Sequence, residues 1–204
     1  MTIQLHQFID RCYEQVPELW NYKWPWEMTA DASDIVAKIV ERLSDADYRI
    51  EGNTAIHNTA VIEKGAVLKE AAFIGKGCHV AAGAYIRGGV YLGEGVKIGP
   101  GCELKSSFIF DKSRLAHFNY VGDSIVGADV NFEAGAVVAN YFNEMERDIE
   151  LNIDGEVLTT DVRKFGAIVG DHARIGANAV LDPGSVLRPG QIVGRLEHFS
   201  KPQR

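Results

Sequence analysis

From Ile50 to Leu104 an apolar residue returns at every sixth position without a break: Ile50, Ile56, Ile62, Leu68, Ile74, Val80, Ile86, Leu92, Ile98 and Leu104. Phe110 and Ala116 continue the count. A period of six fits neither the turn of an α-helix nor an alternating strand. It marks a solenoid of hexapeptide repeats. The pattern predicts an all-β chain, a left-handed parallel β-helix in which three hexads make one triangular coil. That handedness is an exception to the right-handed crossover rule. Two further positions support the reading. The fourth of each hexad is rich in Gly or Asn (Asn53, Gly65, Gly77, Gly83, Gly89, Gly95, Gly101, Asn119), residues that accept the left-handed backbone of a tight corner. The fifth is small or β-branched from Thr54 through Ala84, Val90 and Val96 to Cys102.

The lapses are as informative as the repeat. Beyond Leu104 the fifth positions become Phe108, Arg114 and Tyr120, and the step from Val121 to Val126 spans five residues. The count resumes through Phe132 and Val138, then breaks at Asn140 for a polar excursion over 142–163. Within it, Ile149 to Thr159 read as a hairpin turning at Asp154-Gly155. This excursion is expected to lid a site or to reach a neighbouring subunit. The count returns at Val169, Ile175, Leu181, Leu187 and Val193, with Pro183 and Pro189 at corners where no ladder donor is lost. About seven coils at ~4.8 Å each make a prism roughly 35 Å long.

Residues 1–48 follow a different rule. Leu5, Phe8, Ile9, Cys12, Tyr13 and Val16 recur at helical spacing, as do Ile35, Val36, Ile39, Val40 and Leu43, so two short amphipathic helices are expected, the second capped by Ser33. Trp20, Trp24, Pro25 and Trp26 lie between them as an aromatic knot. A solenoid needs its ends covered, and these helices are expected to close the N-terminal one. The chain therefore divides into a helical cap or linker remnant (1–48), the β-helix (49–198, with the excursion) and a tail (199–204).

A net charge of −7 argues against a general nucleic-acid surface, which requires a basic field. No apolar run approaches the ~20 residues of a membrane span, and the N-terminus has no signal-peptide pattern, so no membrane partner and a cytoplasmic location are expected. Cys12, Cys78 and Cys102 are expected to be free thiols, because Cys78 and Cys102 lie on different faces of the coil. An anionic ligand needs a local basic pocket. Arg87 and Lys105 are three hexads apart and so stack one coil above the other, at about 5 Å, an arrangement suited to a phosphate dianion. His117 shares their hexad position and supplies an imidazole able to take a proton from an attacking amine near neutral pH. His57, His79 and His172 read as solvated corner residues.

The segment from Lys105 to Tyr141, with His117-x-x-Tyr120-x-Gly122-Asp123, Val130-Asn131-x-x-Ala134-Gly135 and Asn140-Tyr141, resembles the C-terminal acetyltransferase domain of bifunctional N-acetylglucosamine-1-phosphate uridyltransferase/glucosamine-1-phosphate acetyltransferases. Lys164 to Asp171 resembles the matching block in the β-helical tails of sugar-phosphate nucleotidyltransferases. The resemblance spans about residues 50–194. It implies an acetyl-CoA-dependent N-acetyltransferase acting on a phosphorylated amino sugar, with His117 as general base. It implies that Arg87, Lys105, Tyr120, Asn131 and Lys164 hold the sugar phosphate and that Ala134, Asn140 and Tyr141 contact acetyl-CoA. It also implies a homotrimer with sites between subunits and no metal.

Two departures stand out. A serine that seats acetyl-CoA in the family falls on Ala177, and no glycine-rich phosphate loop opens a βαβ unit, so a separate nucleotidyltransferase is an expected partner. These departures leave a second reading: a non-catalytic trimeric module, derived from a nucleotidyltransferase tail, that binds a sugar phosphate or sugar nucleotide. A zinc hydratase on the same fold is disfavoured, because the histidines show no closely spaced pair.

Overall fold

The structure, a computed structural model, describes residues 3–200, so residues 201–204 of the expected tail lie outside it. It is a left-handed parallel β-helix of triangular section. The second face is a seven-stranded sheet, from Val61–Ile62 through Lys97–Ile98 and Arg114–Leu115 to Ile192–Val193. The first and third faces are joined by two long strands that turn an edge without ending, Tyr85–Leu92 and Glu103–Ile109. The third face runs from Val67–Leu68 through Tyr120–Gly122 to His198–Phe199, one residue past the expected boundary of the repeat. In the early coils the stacked strands are separated by three full hexads, as in Ile56↔Ile74↔Leu92.

Two corrections to the hexad count follow from the register. Ile50 lies in Tyr48–Glu51, which pairs antiparallel with Thr54–His57, and its side chain stays outside the inner core. Further along, Leu92 pairs with Ile109, and Leu104 with Val121, in each case one position short of three hexads. A first five-residue step therefore falls between Leu104 and Ile109, and the second between Val121 and Val126. Ile109 and Leu115 point inward in place of Phe110 and Ala116. The small inward positions of these coils are then Ser107, Ser113, Asn119 and Ser124, all buried. Each shortened coil leaves backbone groups out of register, and these side chains satisfy them. Ser107 Oγ donates to the Lys105 carbonyl (2.7 Å) and accepts from the Ser124 N–H (3.1 Å); Ser113 Oγ donates to the Gly127 carbonyl (2.6 Å) and accepts from the Val130 N–H (2.9 Å). Phe108, Arg114 and Tyr120 face outward and do not distort the core.

The outward residues of the first face form an apolar ladder, Ala55↔Phe73↔Tyr91↔Phe108↔Ile125↔Ile168↔Val186. Such a ladder cannot be left in water, and it explains where the N-terminal residues lie. The helices cover this side of the prism rather than its end: Ile9, Val16, Leu19, Trp26, Met28, Ile35 and Ile39 pack with the ladder in a second core, and no helical residue enters the inner one. The first expected helix is broken into a 3-10 turn (Leu5–Gln7), α1 (Cys12–Gln15) and a second 3-10 turn started by Pro17 (Pro17–Asn21). After these come α2 (Pro25–Ala30), where the Glu27 carboxylate accepts from the Trp24 N–H at 2.9 Å, and α3 (Ala32–Glu41). Ser33 lies inside α3 and does not cap it. It sits on Gly89, whose φ of +83° and lack of a side chain admit the backbone of Ala32 and Ser33 at the prism edge. Trp24 and Trp26 stack at 5.0 Å, while Trp20 stacks on Tyr13 at 4.0 Å. The excursion forms the expected hairpin, Glu150–Ile153 with Glu156–Thr159. Its residues Ile149, Leu151 and Ile153 complete the same roof.

Candidate functional site

Most of the nominated residues lie on the third face or at its two edges. Arg87 and Lys105 pair in register where that face meets the roofed one, and both are already engaged. Arg87 pairs with Glu103 (2.8 Å), which holds the guanidinium pKa above its ordinary value through the hydrogen bond to that carboxylate. Lys105 Nζ donates to both oxygens of Asp123, at 2.7 and 2.8 Å. The Asp123 carboxylate also accepts from the Asn140 side-chain amide, and its backbone takes part in the corner, its N–H donating to the Lys105 carbonyl (2.8 Å) and its carbonyl accepting from the Gly166 N–H (2.8 Å). With φ at +47° and only 6% of its surface exposed, Asp123 is held from both sides. Tyr120 stacks on Glu103 in the strand register, one coil further on, and burial pushes its phenol pKa up. Gly122 has no side chain where the Tyr120 hydroxyl and the Asn140 amide approach its backbone. Tyr141 is partly exposed at the start of the excursion and Lys164 is exposed at its end.

His117 occupies the opposite edge, between the second and third faces. The five-residue step moves it one place from the hexad position of Arg87 and Lys105, so the expected equivalence of the three corners does not hold. Its N–H donates to the buried Asn119 side chain (3.1 Å), which in turn donates to the Glu133 (2.7 Å) and Ala136 (3.2 Å) carbonyls of the next coil. Ala134 and Ala177 follow His117 up this edge, linked by backbone hydrogen bonds from Gly135 to His117, and from Asn178 to Ala134, at 2.8 and 2.9 Å. Asn131 lies on the second face between Arg114 and Arg174. At the position of the missing serine, the Ala177 N–H donates to Glu133 (2.8 Å), and Arg195 forks onto the same carboxylate at 2.7 and 2.8 Å. The Arg195 hydrogen bonds, with that of Ala177, lower the Glu133 pKa to about 2.

Glu103, Glu133 and Arg195 went unrecognised in the sequence, and Asp123 appeared there only as part of a motif. Glu103 stands three hexads from Tyr85 in the same row, a spacing that would have placed it beside Arg87. The Glu133–Arg195 contact joins residues 62 apart across the excursion, and no repeat distance signals it. Among the described residues no three His, Cys, Asp or Glu side chains converge as a metal ion would require. No helix among them is long and apolar enough to cross a membrane.

Comparison with known proteins places the chain. It is 45% identical over 173 residues to the bifunctional protein GlmU of Methanococcus maripaludis (strain C7), covering 83% of this chain and 42% of that one. It is 37% identical over 99 residues to the bifunctional sugar-1-phosphate nucleotidylyltransferase/acetyltransferase of Sulfurisphaera tokodaii, covering 46% of this chain and 24% of the relative. The chain thus spans less than half the length of these relatives. A solved hexapeptide transferase family protein from Anaplasma phagocytophilum aligns over 69% of each chain at 19% identity, with a TM-score of 0.41. The family profile described as the GMPPB C-terminal domain matches residues 83–187, just over half of the sequence. That stretch includes both edges of the third face, and the chain belongs to the GMPPB C-terminal domain family.

Proposed function

We propose that the protein is an acetyl-CoA-dependent N-acetyltransferase for a phosphorylated amino sugar, acting as a homotrimer. The observation that carries this reading is the half-buried Lys105–Asp123–Asn140 assembly beside Arg87 and Tyr120 on one edge of the third face, with an exposed histidine on the other. One edge supplies polar and cationic groups and the opposite edge a base. A site that joins them is made when the His117 edge of one copy meets the Lys105 edge of another, as closed cyclic symmetry allows. The names of the relatives, nucleotidyltransferase/acetyltransferases, favour the same chemistry.

In this mechanism Arg87, Lys105, Tyr120, Asn131 and Lys164 hold the sugar phosphate, and the alignment this gives the amine is the main catalytic effect. The amine attacks the thioester carbonyl as His117 accepts its proton. The C–S bond then breaks, and the proton leaves with the CoA thiolate. Ala134, Asn140 and Tyr141 contact the acyl donor. The pairing of Arg87 and Lys105 with Glu103 and Asp123 implies that a phosphate shares these cations with carboxylates already present.

The test is thiol release from acetyl-CoA in the presence of glucosamine-1-phosphate and related amino-sugar phosphates. His117→Ala is expected to lower turnover by about 10²–10⁴-fold, the usual worth of a general base. Thiol release that is absent for all acceptors, or unaffected by the substitution, rejects the proposal.

A further inference from the structure

The second face carries a column of side chains of which the proposed mechanism uses only Asn131. Its outward residues, in register one coil apart, are Val61, His79, Lys97, Arg114, Asn131, Arg174 and Ile192. The middle of the column is basic on a chain of net charge −7. Two of the bases are spoken for: His79 faces Glu63 at 3.1 Å, and Arg174 pairs with Asp129 at 2.9 Å. Lys97 and Arg114 are exposed, adjacent in the ladder, and make no ion pair among the described residues. They contrast with Arg87 and Lys105, each of which has a carboxylate in contact.

These two cations line a groove of about 430 Å³ that also reaches His117 and Asn131. Its wall includes Ile98, Gly99 and Pro100, and also Glu63, whose carboxylate faces His79. At Gly99 a side chain would strike the Ala116 carbonyl, so this stretch of wall is kept flat. Two unpaired cations on neighbouring strands about 4.8 Å apart, beside an apolar stretch of wall, suit an extended anion with consecutive charged groups better than a single compact one.

We infer that the Lys97–Arg114 groove binds the diphosphate of a nucleotide lying along the second face, with its far end reaching toward His117. The chemistry required is a phosphoanhydride with two adjacent charged phosphates, which a nucleoside-diphosphate sugar and coenzyme A both contain. The inference stands on the groove itself and holds whether or not His117 acts on an acyl donor.

Calorimetric titration of the full chain with inorganic pyrophosphate, UDP and coenzyme A at two salt concentrations tests it. At least one of the two nucleotides is expected to bind more weakly as salt rises, and Lys97→Ala/Arg114→Ala is expected to weaken that binding at least tenfold. Both side chains are solvent-facing, so the variant should keep the wild-type circular dichroism spectrum and melting temperature. Loss confined to UDP assigns the groove to a sugar nucleotide, loss confined to coenzyme A assigns it to the acyl donor, and either supports the site. Removal of two distant surface charges, Lys38→Ala/Lys69→Ala, should leave binding unchanged. No nucleotide binding, unchanged affinity in the groove variant, or equal loss in the distant-charge variant would overturn the inference.

Discussion

Asp123 shows how much a single side chain can hold together. It neutralises Lys105, accepts from Asn140 and sits at a left-handed corner, almost out of water. Asp123→Asn keeps the shape but leaves a half-buried ammonium without its counter-ion. Loss of hydrogen bonds to a charged group costs about 2 kcal/mol, so the melting temperature should fall by about 4–8 °C in thermal unfolding. The thiols of Cys12 and Cys78 make a second case. Burial raises both to about 12, so at pH 8 only about 1 in 10⁴ is ionised, and a disulfide reagent should label neither until the protein is unfolded. In the unfolded chain these thiols ionise near 9.0. The unfolded state therefore sheds protons that the folded state keeps, and denaturant titrations should show stability falling as pH rises from 9.0 towards 12.

At the scale of elements, the outward ladder of the first face decides where the N-terminal segment and the excursion go. Phe108 is buried there between Tyr91 and Ile125, beneath the roof. Phe108→Ala removes a large side chain from a packed interface and should cost about 3–5 kcal/mol, read from denaturant unfolding. Arg114→Ala, at the next fifth position of the hexad count, leaves an exposed position and should change stability by less than about 0.5 kcal/mol. The contrast tests the corrected register, since the uninterrupted hexad count puts both side chains in the same kind of place. The regular coils from Ile56 to Leu104 were legible in the sequence because each residue there obeys one geometric rule. The step between Leu104 and Ile109 was not. Phe110 is apolar, as the sixth position demands, and nothing in a linear count shows that it serves a second core instead of the first.

For the whole molecule, the separation of His117 from Lys105 across the third face gives a direct test of assembly. His117→Ala and Lys105→Ala should each be strongly impaired alone. Mixed, unfolded and refolded together, they should regain part of the activity, because some interfaces then pair an intact His117 edge with an intact Lys105 edge. Light scattering should report a mass of three chains. Of the site, the types of residue and their motifs were readable in the sequence, and so was the stacking of Arg87 on Lys105, because the three-hexad period is a local property of the repeat. The carboxylates that engage those cations and the lateral docking of the helices were decided by the tertiary structure. Each depends on which side of the prism a residue faces after two shortened coils, and on contacts such as Glu133–Arg195 that cross the excursion. The hexad pattern determined that this chain winds into a β-helix, because inward positions must be apolar at a fixed interval. Only the folded molecule determined what its outer faces carry, because outward positions answer to neighbours far away along the chain.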